Sequence, residues 1–265
     1  VGVMVCGFLL LVLVVLGRLG VWGGGGGGGG VLGGGGGAPP FSLLLIMRYA
    51  FPPSRPNFTG SYGSLMRSLL TLIREQPVLR EAAAINALAF STFGMFWTTM
   101  VLHLSGDPFY FKSDGIGLFG LAAAAGALAA PLVGGSADKR NPRIVIGYGL
   151  CMLFGSFLLL YAWAGQVWGM VAGIILLDLA MQCIHVSNQS RIYALIPQAR
   201  NRLNTVYMTV SFLGTSMGSA VGLFAWDKGG WTGVCITGAL LTTAAFIIYA
   251  LTLNPRQRIR PTGQA

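Results

Sequence analysis

From Glu81 to Leu253 the chain repeats one pattern: a long apolar run, a short polar break, then another long run. Six runs of about 20 residues stand out, at 81–104, 115–135, 143–164, 167–187, 205–225 and 232–253. With a helical rise of about 1.5 Å per residue, each crosses a hydrocarbon core of ~30 Å. Backbone amides in lipid must be satisfied within their own segment, so each run is predicted to be a helix. The period-2 alternation of a membrane barrel is not visible. The pattern therefore predicts an all-α polytopic membrane protein.

Composition sharpens this picture. The chain is 54% hydrophobic and 9% charged, with a mean hydropathy of +0.70. Soluble domains carry roughly 25% charged residues. A net charge of +10 raises the question of nucleic acid. Its placement answers against it, because a nucleic-acid reader needs a basic face on a soluble module. Arg67, Arg74, Arg80, Lys139, Arg140, Arg143, Arg191, Arg200, Arg202, Arg256, Arg258 and Arg260 all fall on one set of loops, and only Lys112 and Lys228 on the other. Positive residues mark the inner side of a membrane, so the first set and the C-terminus are expected to be cytoplasmic. Cys6, Cys151, Cys183 and Cys235 lie in apolar stretches with no CxxC and no paired histidine spacing, so neither a metal site nor a cofactor is expected.

The first sixty residues break the pattern. Val1–Leu16 is apolar but lacks the basic start and small-residue cleavage site of a secretory signal. Two glycine runs follow, at 23–30 and 33–37, with no Lys-Ser/Thr after them, so they are not a phosphate loop. Residues 1–40 are expected to be a damaged or out-of-frame replacement of two earlier spans, and the chain a fragment. Residues 41–51 resemble half a span, the end of a helix. From Tyr62 to Arg80, Leu65, Leu69, Leu72 and Ile73 make one apolar helical face among arginines, with Pro77 placed to break it. Two readings stay open here: a helix lying on the cytoplasmic leaflet, or one packed on the protein. The expected organisation is an anomalous segment (1–40), a helix end with a cytoplasmic linker (41–80), a six-helix bundle (81–254) and a basic cytoplasmic tail (255–265).

The candidate chemistry sits on four of the runs. In the fourth, Asp178, Gln182, His185 and Gln189 follow helical spacing along one face. A mid-membrane carboxylate costs ~2.5–3.5 kcal/mol on insertion scales, so Asp178 is expected to face a cavity or a partner. A carboxylate held away from water takes up protons readily, which proton coupling requires. The competing reading is a structural hydrogen bond, and for His185, near the end of its span, the structural reading is favoured. The fifth run carries a polar line of Asn204, Tyr207, Ser211, Thr215 and Ser219 beside Gly214, Gly218 and Gly222. The glycines predict close helix packing. The hydroxyls line a pore or bond back to their own helix. Asn86, Trp97 and Thr98 of the first run are candidate cavity residues. Trp163, Trp168, Trp226 and Trp231 are read as anchors at the outer membrane interface. An enzyme of the membrane would need paired acids, a Ser/His pair or a metal cluster at membrane depth, and none is seen.

The second run is rich in Gly and Ala and ends at Gly134-Gly135-Ser136-Ala137-Asp138-Lys139-Arg140-Asn141-Pro142-Arg143. This resembles the loop signature of the major facilitator superfamily, roughly G-x-x-x-D-R/K-x-G-R/K-R/K, at Gly134, Asp138, Lys139 and Arg140. Asn141-Pro142 departs from it. The loop falls between the second and third runs, where that family places it. The stretch from Leu177 to Met208 is similar to a bacterial drug-efflux-like subgroup. The resemblance covers residues 41–255 and implies the six-helix C-terminal bundle of a major facilitator fold with an incomplete N-terminal part. It further implies a bacterial inner-membrane secondary transporter, moving a small organic solute or drug with protons, by export and alternating access. The partners implied are the lipid bilayer, the solute, protons, and either the missing N-terminal six-helix half or a second copy. An inactive half-transporter that needs its partner half is the alternative.

Overall fold

The computed structural model describes residues 62–112, 115–120 and 141–252. Residues 1–61, most of the expected second span, the loop residues Gly134, Asp138, Lys139 and Arg140, and the tail lie outside the described residues. Within them the elements are helical: α1 (Tyr62–Glu75), α2 (Pro77–Ser105), α3 (Pro142–Ala162), α4 (Val167–Tyr193), a 3₁₀ turn (Pro197–Ala199) and α5 (Arg200–Leu251). Residues 115–120 are also helical. Among the described residues, four helical stretches are long and apolar enough to cross a membrane: those of α2, α3 and α4, and Pro197–Leu251, which contains α5.

Proline and asparagine set the starts. Pro77 and Pro142 occupy first-turn positions, where a missing N–H costs nothing. Asn141 caps α3 by accepting from the Arg143 amide at 3.0 Å. Pro77 separates α1 from α2, so the membrane helix begins four residues before the expected Glu81. Arg80 then reaches back, its Nη1 donating to the Arg74 carbonyl at 2.7 Å and the Ile73 carbonyl at 3.3 Å. That places a cation on the free carbonyls at the α1 C-terminus. Leu72 of α1 packs with Leu79, Ala82, Ile192, Leu203 and Tyr207. The α1 face is therefore packed on the protein, the second of its two readings.

At 52 residues, α5 would run about 78 Å if straight, more than twice a bilayer core. It does not run straight. Gly230 breaks it with φ 56° and ψ −146°, a backbone state that glycine adopts without a Cβ penalty. The chain doubles back there, so α5 is two membrane helices. Its first arm packs along α2. Its second arm packs along α3, with Gly238 against the Phe157 ring and Gly147 of α3 against Tyr249. Helix α3 also packs on α4, where Gly149 meets Ile184 and Cys183. The main core runs through Ile85, Phe96, Ile146, Leu150, Phe157, Leu160, Ile174, Leu177, Met181 and Trp231.

Candidate functional site

The α2–α5 seam is built from small residues. A Cβ added at Gly94, Gly214 or Gly218 would collide with the carbonyl oxygens of Thr215, Ala87 and Ser91 respectively. Backbones this close bring side-chain hydroxyls within reach of the facing helix. Asn86 Nδ2 donates to Ser211 Oγ at 2.6 Å, and Ser91 Oγ to the Gly214 carbonyl at 2.8 Å. Thr98 donates to Ser219 at 3.0 Å, and Ser219 to the Gly94 carbonyl at 3.3 Å. Ser211 and Thr215 also bond back to Tyr207 and Ser211 carbonyls. The polar line of the fifth run is thus an interhelical and intrahelical hydrogen-bond ladder, which the sequence left open against a pore.

Helix α4 crosses α2 in antiparallel sense. Near one end Arg191 meets Glu81; further along, the His185 ring lies 5.3 Å from Phe90; beyond the other end, His103 Nε2 lies 2.9 Å from the carbonyl of Ala164, in the turn before α4. His185 is buried, with Tyr207 stacked on it at 5.5 Å and 22°. The Tyr207 hydroxyl, fully buried, donates to the His185 carbonyl at 3.1 Å and lies 3.3 Å from Nδ1. The structure thus brings His185 together with Tyr207, and Asn86 with Ser211. Gln182 is half-buried on the same helix. Asp178 is 8% exposed, and its Oδ2 has no hydrogen-bond partner. The same holds for Trp97 Nε1 and Asn86 Oδ1. Buried polar atoms are nearly always partnered; Ser187 Oγ, Asn188 Nδ2 and the Arg143 guanidinium are further exceptions among the described residues.

One cluster escaped the sequence reading. Glu81, at the start of α2, receives two arginines on the same carboxylate oxygen: Arg191 Nη2 at 3.2 Å and Arg143 Nη2 at 3.3 Å. The Glu81 side chain is 5% exposed, those of Arg191 and Arg143 12% and 26%. Arg143 also lies 5.9 Å over the Tyr249 ring. Counting Arg143 and Arg191 as loop charges hid their convergence. The available signal was an acid in the first turn of a span whose same-side neighbours end in arginine. One expected interface residue is also placed otherwise. Trp231 is buried, stacked on His103 at 4.2 Å, with Nε1 donating to the Leu160 carbonyl at 3.0 Å. Its polar tip finds a partner inside the bundle, so it does not anchor the interface. Trp163 and Trp168 are exposed.

Among the described residues no three His, Cys, Asp or Glu side chains are grouped to hold a metal ion. What the arrangement offers is a packed helical wall with a few buried polar atoms that have no hydrogen-bond partner.

The sequence is 34% identical over 189 residues to the uncharacterized transporter YgaY of Escherichia coli O157:H7, covering 71% of this chain and 48% of the relative. The same figures hold for YgaY of strain K12. It is 30% identical over 202 residues to the probable transporter SCO4007 of Streptomyces coelicolor, covering 74% of this chain and 46% of that one. The chain thus spans about half the length of the curated relatives it matches. Residues 82–265 match the Major Facilitator Superfamily profile. The chain belongs to the Major Facilitator Superfamily of transporters, and its six apolar runs are the C-terminal part of that all-α membrane fold.

Proposed function

We propose that this chain forms one wall of a proton-coupled exporter of a small organic solute, with Asp178 carrying the proton. Such transporters rock two helical bundles around a site near the membrane midplane. The observation that carries the reading is Asp178 itself: a carboxylate buried midway along α4 whose Oδ2 has no partner among the described residues. A charge in that position is costly, and taking up a proton removes the cost. Gln182, Trp97 and Asn86 extend the path on α4 and α2, while His185, Tyr207 and Ser211 hold its walls. No covalent chemistry is involved, so the protein acts as a transporter and not as an enzyme. The proposed setting is the bacterial inner membrane, with the C-terminus in the cytoplasm.

The first six-helix half, or a second copy of this chain, supplies the facing wall. Rocking one bundle against another requires two of them, and the alternative reading is that this chain alone is inactive. Proton-gradient-driven movement of cationic dyes and small metabolites into vesicles tests both. The chain is measured alone and preceded by the N-terminal half of the Escherichia coli relative, each with and without Asp178→Asn. Transport by the joined form, lost in Asp178→Asn, is the expected result. Transport by the chain alone would refute its inactivity and require a dimer. Gradient-driven transport that survives Asp178→Asn would remove Asp178 from the proton path.

A further inference from the structure

Contacts inside α3 and α4 set the register of that pair. Gly149 lies against Cys183 and Ile184, and Leu160 against Gly173. Partner numbers fall on α4 as they rise on α3, as antiparallel helices require. One turn beyond Cys183 and Ile184, Ser187 and Asn188 share their face of α4, turned toward the first turns of α3. A further turn brings Arg191 level with the start of α3, where Arg143 stands. The side chains agree with this placement. Both guanidiniums reach Oε1 of Glu81, and Arg191 Nη1 donates to Asn188 Oδ1 at 3.4 Å.

The polar atoms left over at this end are alike. Arg143 Nε, Arg143 Nη2 and Asn188 Nδ2 can only donate, and Ser187 Oγ is able to. Each is buried without a hydrogen-bond partner; Arg143 Nη2 lies 3.3 Å from the Glu81 oxygen but is not hydrogen-bonded to it. Ser187 and Asn188 are fully buried residues. Two arginines against one glutamate leave a net positive charge. In the middle of the bundle the unpartnered atoms are of both kinds, with acceptors at Asp178 and Asn86 and a donor at Trp97.

We infer that this end of the bundle binds a monoanionic phosphate group, held by Arg143, Asn188 and Ser187 and drawn in by the charge of Arg191. The inference goes beyond the transport reading and does not depend on it. Buried donors need an acceptor, and a buried net charge needs a counter-charge. Water supplies the first but not the second. A monoanion balances the two arginines and the glutamate, whereas a dianion would set surplus negative charge beside Glu81. Guanidinium forks match oxyanions better than a spherical halide. The donors come from two helices, and a tetrahedral phosphate presents oxygens in more directions than a flat carboxylate. The Arg143 side chain is 26% exposed, which gives the group a way in. A lipid headgroup carries this chemistry as a phosphodiester, and free phosphate carries it as the dihydrogen ion.

The test is thermal unfolding of the full 265-residue chain, stripped of lipid in dodecyl maltoside, a detergent without phosphate. The buffer is mildly acidic, where inorganic phosphate is mostly a monoanion. Four compounds are titrated: inorganic phosphate, dioctanoyl phosphatidylglycerol, dioctanoylglycerol (the same chains without phosphate), and chloride at matched ionic strength. Phosphate or the phospholipid is expected to raise the thermal midpoint saturably, by roughly 3–6 °C at about ten times Kd. Arg143→Gln should abolish the rise. Glu81→Gln removes the neighbouring anion, so phosphate should half-saturate it at an about tenfold lower concentration, which a merely structural cluster would not show. A rise with inorganic phosphate alone identifies the free ion, and a rise with phosphatidylglycerol alone identifies a headgroup; either upholds the site. A rise that chloride or dioctanoylglycerol matches overturns the inference without relying on any variant, as does no saturable rise with either phosphate compound. A full response that survives Arg143→Gln overturns it as well.

Discussion

Replacing Glu81 by Gln tests the three-helix charge cluster. The substitution keeps the side-chain shape and removes the anion that Arg143 and Arg191 share at 3.3 Å and 3.2 Å. Breaking a fully buried ion pair by deleting one partner costs about 3–5 kcal/mol, because the remaining charge is left uncompensated. Here two cations are left facing each other. Arg143 is 26% exposed, though, and water relieves part of the penalty. A loss of about 2–3 kcal/mol follows. At about 2–4 °C per kcal/mol for a chain of this size, the thermal midpoint should fall by roughly 5–10 °C. Thermal unfolding in detergent, followed by loss of the monodisperse species, reads this directly. The added change Arg191→Leu removes one of the stranded cations and should recover part of the loss. A single variant within about 1 °C of the parent, or a double variant no better than the single, would refute the buried-charge reasoning. The cluster would then be an ordinary solvated pair, worth about 0–1 kcal/mol.

Further outcomes follow from the packing. Gly218→Ala places a Cβ 2.5 Å from the Ser91 carbonyl carbon and should force α2 and α5 apart at about 1–3 kcal/mol, whereas Gly155→Ala meets nothing within 4 Å and should be near neutral; paired thermal melts compare them. Tyr207→Phe removes the hydroxyl that bonds the His185 carbonyl and should destabilise by about 1–1.5 kcal/mol in the same assay. For topology, a form lacking the four native cysteines receives Lys228→Cys or Arg200→Cys. A membrane-impermeant maleimide added outside intact cells should label the Lys228→Cys form alone, and labelling of Arg200→Cys would invert the predicted orientation.

Much of the fold was legible because membrane helices announce themselves by length and composition. The run at 143–164 appears as α3 (Pro142–Ala162) and the run from 167 as α4 (Val167–Tyr193), whose extra turn and a half carries Arg191 to Glu81. Small residues at four-residue spacing announced a close-packed face on the fifth run, and the structure shows that α2 fills it at Gly214 and Gly218. The partners of polar side chains were not legible. Whether Ser211 faces a pore or Asn86 depends on how two helices are rotated against each other, and one sequence does not encode that rotation locally. Trp231 was misread for the same reason. An aromatic near a span end suits an interface, but the reversal at Gly230 turns this one inward to His103 and Leu160. Glu81 was missed because its partners come from two other helices, 62 and 110 residues further along the chain.

The hydrogen-bond accounting also narrows where solute chemistry can lie. On the first arm of α5, Tyr207, Ser211, Thr215 and Ser219 all donate hydrogen bonds to backbone, and two of them also meet side chains of α2. Such a row contributes helix association and has little capacity left for a passing solute. At the Glu81 end, Arg143 Nε, Ser187 Oγ and Asn188 Nδ2 are also buried without hydrogen-bond partners, but Arg143 is held at the Glu81 carboxylate and Asn188 Oδ1 accepts from Arg191. Near the middle of α2 and α4 the balance is different. Asp178 offers an acceptor, Trp97 a donor and Asn86 an amide oxygen, each with no protein partner among the described residues. Burying unpaired groups of this kind costs about 1–3 kcal/mol apiece, more for a charge. A bundle that packs its α5 hydroxyls so fully has the means to satisfy these as well. That it leaves them unpaired on α2 and α4 is the physical reason for the proton and solute path proposed above.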